Sequence, residues 1–217
     1  MEIKPITVNY FFGVNSYLIK TEAGCFLIDT GIKKKREQLE QGLLRAGCRP
    51  GDLRLIIITH GHVDPVGNAA YLRDRYGARI AMHGGDSAMV ESGDMFIDTG
   101  GAMIGLVEAL MKLLGLSDYE RFTPDVILED GQDLSAHGLD ATVIHTPGHS
   151  EGSICICTVE GGLFCGDLFN NTKSPEKVSL IQDPVKLEAS VEKIKASEHE
   201  TVYPGHGEPF RMEQLAE

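Results

Sequence analysis

The apolar run Leu55-Ile56-Ile57-Ile58 passes directly into Thr59-His60-Gly61-His62-Val63-Asp64-Pro65. A short, unbroken run of branched apolar residues bounded by turn signals predicts a buried strand. Two histidines and an aspartate then occupy the loop at its C-terminal end, where open α/β proteins build their sites. Imidazole and carboxylate together suit a borderline divalent ion: Zn2+ first, with Fe2+ or Mn2+ as alternatives. Pro65 closes the cluster with a side chain that cannot bind a metal.

Strands and helices recur around this feature in two halves. Tyr17-Leu18-Ile19 and Cys25-Phe26-Leu27-Ile28 predict a hairpin turning near Glu22-Ala23-Gly24, and Asp29-Thr30-Gly31 ends its second strand. A helix is expected over 36–46, stopped by Gly47 and Pro50, and another over 66–76, stopped by Gly77. A short strand over 78–82 follows. The second half predicts strands over 126–128, 141–145, 153–158, 162–165 and 201–203, and a helix over 184–197. This rhythm implies an α/β chain of two β-rich halves packed face to face, with helices on the outer faces. One domain is expected over 1–217, with a helical insertion at about 91–122. Within it Met103, Leu106, Val107, Leu110, Leu113 and Leu114 fall at helical spacing. A core-packed helix, a lid over the site and a homodimer contact through 101–116 are all compatible with that stripe.

The chain carries 32 acidic against 20 basic residues, a net charge of −12. Such a surface repels phosphate backbones, so no nucleic-acid partner is expected. Lys33-Lys34-Lys35-Arg36 is too short a cluster to reverse this and is expected to be a solvated helix start. No basic segment followed by an apolar one opens the chain, and the apolar stretch from Gly100 to Leu116 is interrupted by Glu108 and Lys112. No membrane association is expected. Five cysteines, an odd number without framework spacing, fit a reducing cytoplasm.

Three further motifs place one ligand-type side chain each in a glycine-containing turn after a strand: Thr146-Pro147-Gly148-His149, Phe164-Cys165-Gly166-Asp167 and Tyr203-Pro204-Gly205-His206. Four such loops can converge on one edge of a sandwich, where rigid strands hold the ligands. Leu27-Ile28-Asp29-Thr30-Gly31, His60-Gly61-His62-Val63-Asp64, Thr146-Pro147-Gly148-His149, Gly166-Asp167 and Pro204-Gly205-His206 together resemble the metallo-β-lactamase-fold superfamily, hydrolases that include glyoxalase II. They run in family order over nearly the whole chain. The resemblance implies an αββα sandwich with a metal site at one edge. It implies that His60, His62 and His149 hold a first metal, that Asp167 bridges to a second, and that Asp64 and His206 belong to that second metal. It also implies that Asp29 braces the ligand loops. Where the family motif has a further histidine this chain has Pro65, so one or two Zn2+ ions are expected, with an imidazole missing from the second site.

Residue types alone leave a rival role for Asp64. Proline suits the first helical position and aspartate the N-cap, so Asp64 could cap the helix expected from Val66 instead of facing a metal. Of the other histidines, His83 is expected at the surface, although it could face the site. His145 is expected to pack or hydrogen-bond, and His137 and His199 to be solvent-exposed. Cys155 and Cys157 share one strand face by alternation, and Cys165 reads as a small core residue.

The resemblance implies hydrolysis of a small-molecule ester, thioester, lactone or amide by metal-bound hydroxide, with Asp64 orienting the nucleophile or shuttling its proton. A mononuclear iron centre that oxidises persulfides and a non-catalytic metal-binding relative are the alternatives. With the sequence ending soon after His206, the helical region that helps glyoxalase II hold glutathione is expected to be absent and glutathione thioesters are not the expected substrates.

Overall fold

Alternate residues of the central strands enter different cores, and this fixes the layering. Leu18, Leu27, Ile56 and Ile58 join one buried cluster, whereas Tyr17, Ile19, Phe26, Ile28, Leu55 and Ile57 join another. A strand buried on both faces reads as a continuous apolar run, which is why 55–58 shows no polar alternation. The computed structural model describes residues 1–8, 13–95 and 118–215.

One sheet has six strands in sequence order: β1 (Glu2–Val8), β2 (Val14–Thr21), β3 (Gly24–Ile28), β4 (Leu53–Ile57), β5 (Arg79–His83) and β6 (Val126–Leu128). The β1–β2 and β2–β3 pairs are antiparallel, and β3 to β6 run parallel. The second sheet has the order β13-β12-β9-β8-β7, from β7 (Ala141–His145), β8 (Ile154–Thr158), β9 (Gly162–Gly166), β12 (Thr201–Pro204) and β13 (Phe210–Arg211). Here β9 and β12 run parallel and the other pairs antiparallel. A two-stranded ribbon, β10 (Phe169–Asn170) with β11 (Glu176–Lys177), follows β9.

Among the described residues three cores stack in layers. Between the sheets lie Phe26, Leu55, Ile57, Val143, Ile156 and Phe164. Outside the first sheet, α1 (Arg36–Arg45) contributes Leu39 and Leu43, and α3 (Ala69–Tyr76) contributes Ala69, Leu72 and Tyr76. Outside the second, α5 (Pro184–Lys195) contributes Leu187, Val191 and Ile194. The architecture is an αββα sandwich. Each fully buried branched side chain contributes about 1.5–3 kcal/mol, so all three layers matter to stability. Asp183 caps α5, its Oδ1 accepting from Val185 N at 3.0 Å and Lys186 N at 3.1 Å, with Pro184 at the first helical position.

Several expectations need correction. The helix expected over 66–76 is two helices, α2 (Val63–Val66) and α3, interrupted at Gly67-Asn68. Asn68 is fully buried, and its Nδ2 donates to the carbonyls of Thr30 at 2.8 Å and Ile32 at 3.1 Å. These tertiary bonds outweigh one more helical turn. His62, not Asp64, is the N-cap residue of α2, and Pro65 is its third residue, not its first. Lys33–Lys35 form a 3-10 turn ahead of α1, where Lys33 Nζ lies 3.1 Å from Asp118 and Arg36 pairs with Glu120 at 2.8 Å. His137 and His199 are half-buried rather than exposed: His137 Nδ1 lies 3.1 Å from Arg79 Nη2, and His199 sits 3.7 Å from Cys157 Sγ. Burial of Cys155 and Cys165 agrees with their reading as core residues.

The helical stripe from 101 to 116 lies outside the described residues. On its flanks, α4 (Ser87–Ser92) precedes it, and Tyr119 and Phe122 return to the first outer core, with Tyr119 Oη donating to Met89 O at 2.8 Å. Among the described residues no helix is long and apolar enough to cross a membrane.

Candidate metal centre

The C-terminal ends of β4, β7, β9 and β12 open onto one edge of the sandwich. The loops leaving them carry His60, His62 and Asp64, then His149, then Asp167, then His206. Two groups of possible ligand atoms form there, each with its atoms within 4.8 Å of one another: His60, His62 and His149, and Asp64, Asp167 and His206. Asp167 Oδ2 sits between them, 3.9 Å from His60 Nε2, 3.5 Å from His149 Nε2 and 3.5 Å from His206 Nε2. All six residues singled out in the sequence therefore meet.

Hydrogen bonds behind the rings set which nitrogen faces inward. Thr59 Oγ1 donates to Asp29 Oδ2 at 2.8 Å and lies 3.1 Å from His60 Nδ1. The hydroxyl can then accept from His60 Nδ1–H, which leaves His60 Nε2 as a bare acceptor. That atom is buried and has no hydrogen-bond partner. His149 Nδ1 donates to Leu180 O at 2.7 Å and His206 Nδ1 to Gly13 O at 2.8 Å, so both present Nε2 to the centre. His62 Nδ1 and His149 Nε2 approach to 2.9 Å. Two lone pairs repel at that distance unless a proton or a metal ion lies between them. An orphaned imidazole nitrogen beside two converging ones fits a cation, and rings oriented by backbone carbonyls or a hydroxyl are the usual support of metal-binding histidines.

Asp29 acts as expected of a brace. It is buried, holds a left-handed backbone with φ of 57°, and accepts from Thr59 N and Thr59 Oγ1, both at 2.8 Å. Burial pushes its carboxyl up to about 8 despite these two bonds. Asp64 makes no capping bond and sits in the first turn of α2 with its Oδ2 3.0 Å from His206 Nε2. The capping role is thereby replaced by a place in the second ligand group. The carbonyl of Pro65 accepts from Thr30 N at 2.7 Å and Thr30 Oγ1 at 2.6 Å, which locks α2 against the Asp29 loop.

Charge is divided unevenly between the two groups. Burial, then the neighbouring His149, pushes His60 down to about 3 and His62 down to about 4, so both are neutral acceptors at pH 7. Burial opposes ionisation of Asp64 and Asp167, but the contacts with His206 more than offset it and hold both carboxyls below their ordinary range. His60 and His149 are buried, at 2% and 3% exposed, and His62 is half-buried, while the side chains of Asp64 and His206 are 22% and 26% exposed.

Some supports carried no sequence signal. Asn15 donates through Nδ2 to Pro204 O at 3.0 Å and Gly207 O at 2.7 Å, which holds the His206 loop against β2. Leu180 supplies only its carbonyl. His83 and His145 are not ligands: their rings stack at 4.0 Å and 15°, linking the two sheets beside the centre.

The metallo-beta-lactamase superfamily model matches residues 9–206. This chain belongs to that superfamily. Among curated proteins, it is 30% identical to rat metallo-beta-lactamase domain-containing protein 1 over 92% of this chain and 68% of the relative. It is 30% identical to bovine acyl-coenzyme A thioesterase MBLAC2, over 93% of this chain and 75% of that protein. The hydroxyacylglutathione hydrolase GloC of Haemophilus influenzae is 29% identical over 71% of this chain and 64% of its own length. The chain thus spans roughly two-thirds to three-quarters of these superfamily members. Among solved structures, the BLEG-1 B3 metallo-beta-lactamase superposes with a TM-score of 0.77 at 22% identity, covering 98% of this chain and 95% of that one. TTHA1623, solved in a di-iron-bound form, has a TM-score of 0.72 at 27% identity, covering 97% and 96%.

Proposed function

We infer that this chain is a metal-dependent hydrolase of a small-molecule acyl compound, with a thioester or ester as its substrate class. The observation that carries the reading is the pair of possible ligand groups at a sheet edge with Asp167 Oδ2 near both, and the buried, orphaned His60 Nε2 in the first. His60, His62 and His149 would hold one divalent ion, and Asp64, Asp167 and His206 a second. An ion held there supplies Lewis-acid polarisation of a carbonyl and an acidified water at neutral pH.

The chain's own residues do the rest. Asp64, ionised and partly exposed, is placed to accept a hydrogen bond from an attacking water and to take its proton. Asp29 and Thr59 keep His60 in one tautomer, while the Leu180 and Gly13 carbonyls do the same for His149 and His206. These fixed dipoles mean that little reorganisation is needed when charge develops on the substrate carbonyl. The names of the bovine thioesterase and the H. influenzae hydrolase support acyl transfer to water as the reaction.

Elemental mass spectrometry of the purified chain, followed by a panel of thioesters, esters and lactones, tests this reading. Expected are one or two equivalents of a transition metal and hydrolysis that is lost in His149→Ala and in Asp64→Asn. A metal-loaded chain inert to the whole panel would sink it. The rival reading is a mononuclear iron centre that oxidises a persulfide; the di-iron form of TTHA1623 supports iron as the metal and nothing more of that reading. Oxygen consumption with a persulfide, in place of hydrolysis, would select that rival.

A further inference from the structure

Two loops converge on one buried carboxylate that is not in either ligand group. Asp86 ends the 3-10 turn Gly84–Asp86 after β5 and is fully buried. Gly61 N donates to its Oδ2 at 2.7 Å, Ser150 Oγ to the same oxygen at 2.6 Å, and Gly152 N to its Oδ1 at 2.7 Å. Gly61 lies between His60 and His62, and Ser150 follows His149. One side chain thus grips both histidine loops, from the turn that follows β5.

The grip depends on the missing side chains of the loops. A Cβ on Gly61 would stand 2.9 Å from Asp86 Cβ, and one on Gly152 would stand 2.5 Å from Asp86 N. Both contacts are closer than real Cβ atoms tolerate, so only glycine lets each loop reach the carboxylate. This gives the central glycine of His60-Gly61-His62 a physical reason that the spacing of the histidines does not. A buried carboxylate is costly unless its lone pairs are filled, and here three short bonds fill them.

We propose that Asp86 is the positioning residue of the metal centre, setting the separation of His62 and His149 by tying Gly61, Ser150 and Gly152 to one rigid group. The inference rests on the metal-binding reading of that centre. Asparagine has the right shape but the wrong chemistry. Whichever way its amide turns, an NH2 group faces either Gly152 N–H or Gly61 N–H, and one of the two backbone bonds is lost. The tie that sets the 2.9 Å approach of His62 Nδ1 to His149 Nε2 is then weakened.

Co2+ titration of the metal-stripped full chain, read by visible absorption and by competition with a chelator, tests this. Asp86→Asn is expected to bind Co2+ about tenfold or more weakly than wild type and to give an altered ligand-field spectrum, since supports behind metal ligands typically carry such effects. Ser150→Ala, which removes one donor and leaves both backbone bonds, is expected to shift affinity the same way by less, and it decides the matter should Asp86→Asn not fold. A lowered melting temperature with wild-type Co2+ affinity and spectrum would overturn the proposal, because a merely structural role predicts that result. Wild-type Co2+ affinity in Ser150→Ala would overturn it where Asp86→Asn is unfolded. Failure of the wild-type chain itself to bind Co2+ would instead overturn the metal reading, and this one with it.

Discussion

His206 Nε2 lies 3.0 Å from Asp64 Oδ2 while its Nδ1 donates to the Gly13 carbonyl, so in the metal-free protein the ring is held as an imidazolium. Burial alone would lower its pKa; the Asp167 and Asp64 carboxylates more than offset this and push it up to about 12. A cation in the second group must displace that proton. His60 and His62, pushed down to about 3 and 4, carry none to lose at pH 7. Occupation of the Asp64–Asp167–His206 group is therefore expected to release about one proton and to weaken as pH falls. Calorimetric titration in two buffers of different ionisation enthalpy checks this. Identical apparent enthalpies for the second equivalent would show that His206 was not charged.

Pro65 follows Asp64 in α2 and contributes its carbonyl to Thr30, a bond that any residue can make. Asp64 already faces His206 and is not spent on a helix cap. Pro65→His is therefore expected to raise the affinity of the second group by adding a ligand, without loosening α2 from the Thr30 loop. Calorimetry of the second metal equivalent reads the change. An unchanged second dissociation constant would mean that the side chain at 65 does not reach the centre.

The ligands were legible because each is local. His60 and His62 follow a buried strand directly, and His149, Asp167 and His206 each sit in a short glycine turn, so a few residues carry the signal. The layering was legible for a related reason: double-sided burial leaves Leu55 to Ile58 uniformly apolar. Features made by distant partners were not. The break at Gly67-Asn68 is enforced by carbonyls of Thr30 and Ile32, which no periodicity in 63–76 announces. β1 carries Pro5 and buries only Ile6 and Val8, so an edge strand there has little pattern to show. The stack of His83 on His145 and the grip of Asp86 on two loops join residues far apart in the chain, and no local pattern pairs them.

Thr59 Oγ1 links a buried carboxylate to a buried ring, donating to Asp29 at 2.8 Å and lying 3.1 Å from His60 Nδ1. Thr59→Val keeps the shape and removes the hydroxyl. Asp29 Oδ2 then loses its donor and His60 Nδ1–H its acceptor, although Thr59 N still serves Asp29 Oδ1. Unsatisfied buried groups of this kind cost about 1–3 kcal/mol each, so the metal-free variant is expected to melt several degrees lower. The His60 ring is also freed to rotate, which weakens the first metal. Thermal denaturation with and without metal separates the two effects. Wild-type stability and wild-type affinity together would show that the Asp29–Thr59–His60 chain is not what orients the ring.

His83 and His145 stack face to face from the ends of β5 and β7, and burial, then the nearby His145, lowers the pKa of His83. Asp86, Glu151 and Asp130 pull the other way without reversing the shift. His83 Nδ1 also accepts from Gly85 N at 3.1 Å, a bond that protonation of Nδ1 abolishes. With the folded pKa below the unfolded value of 6.5, unfolding takes up a proton in acid. Stability is then fully present above 6.5 and is lost as pH falls through the lower folded value. The wild-type chain is expected to lose melting temperature between neutral pH and mild acid, and His83→Gln to lose less over the same range. The metal-free form is the one to melt, since metal release by acid would otherwise contribute. Parallel pH profiles for wild type and His83→Gln would place the acid sensitivity elsewhere in the fold.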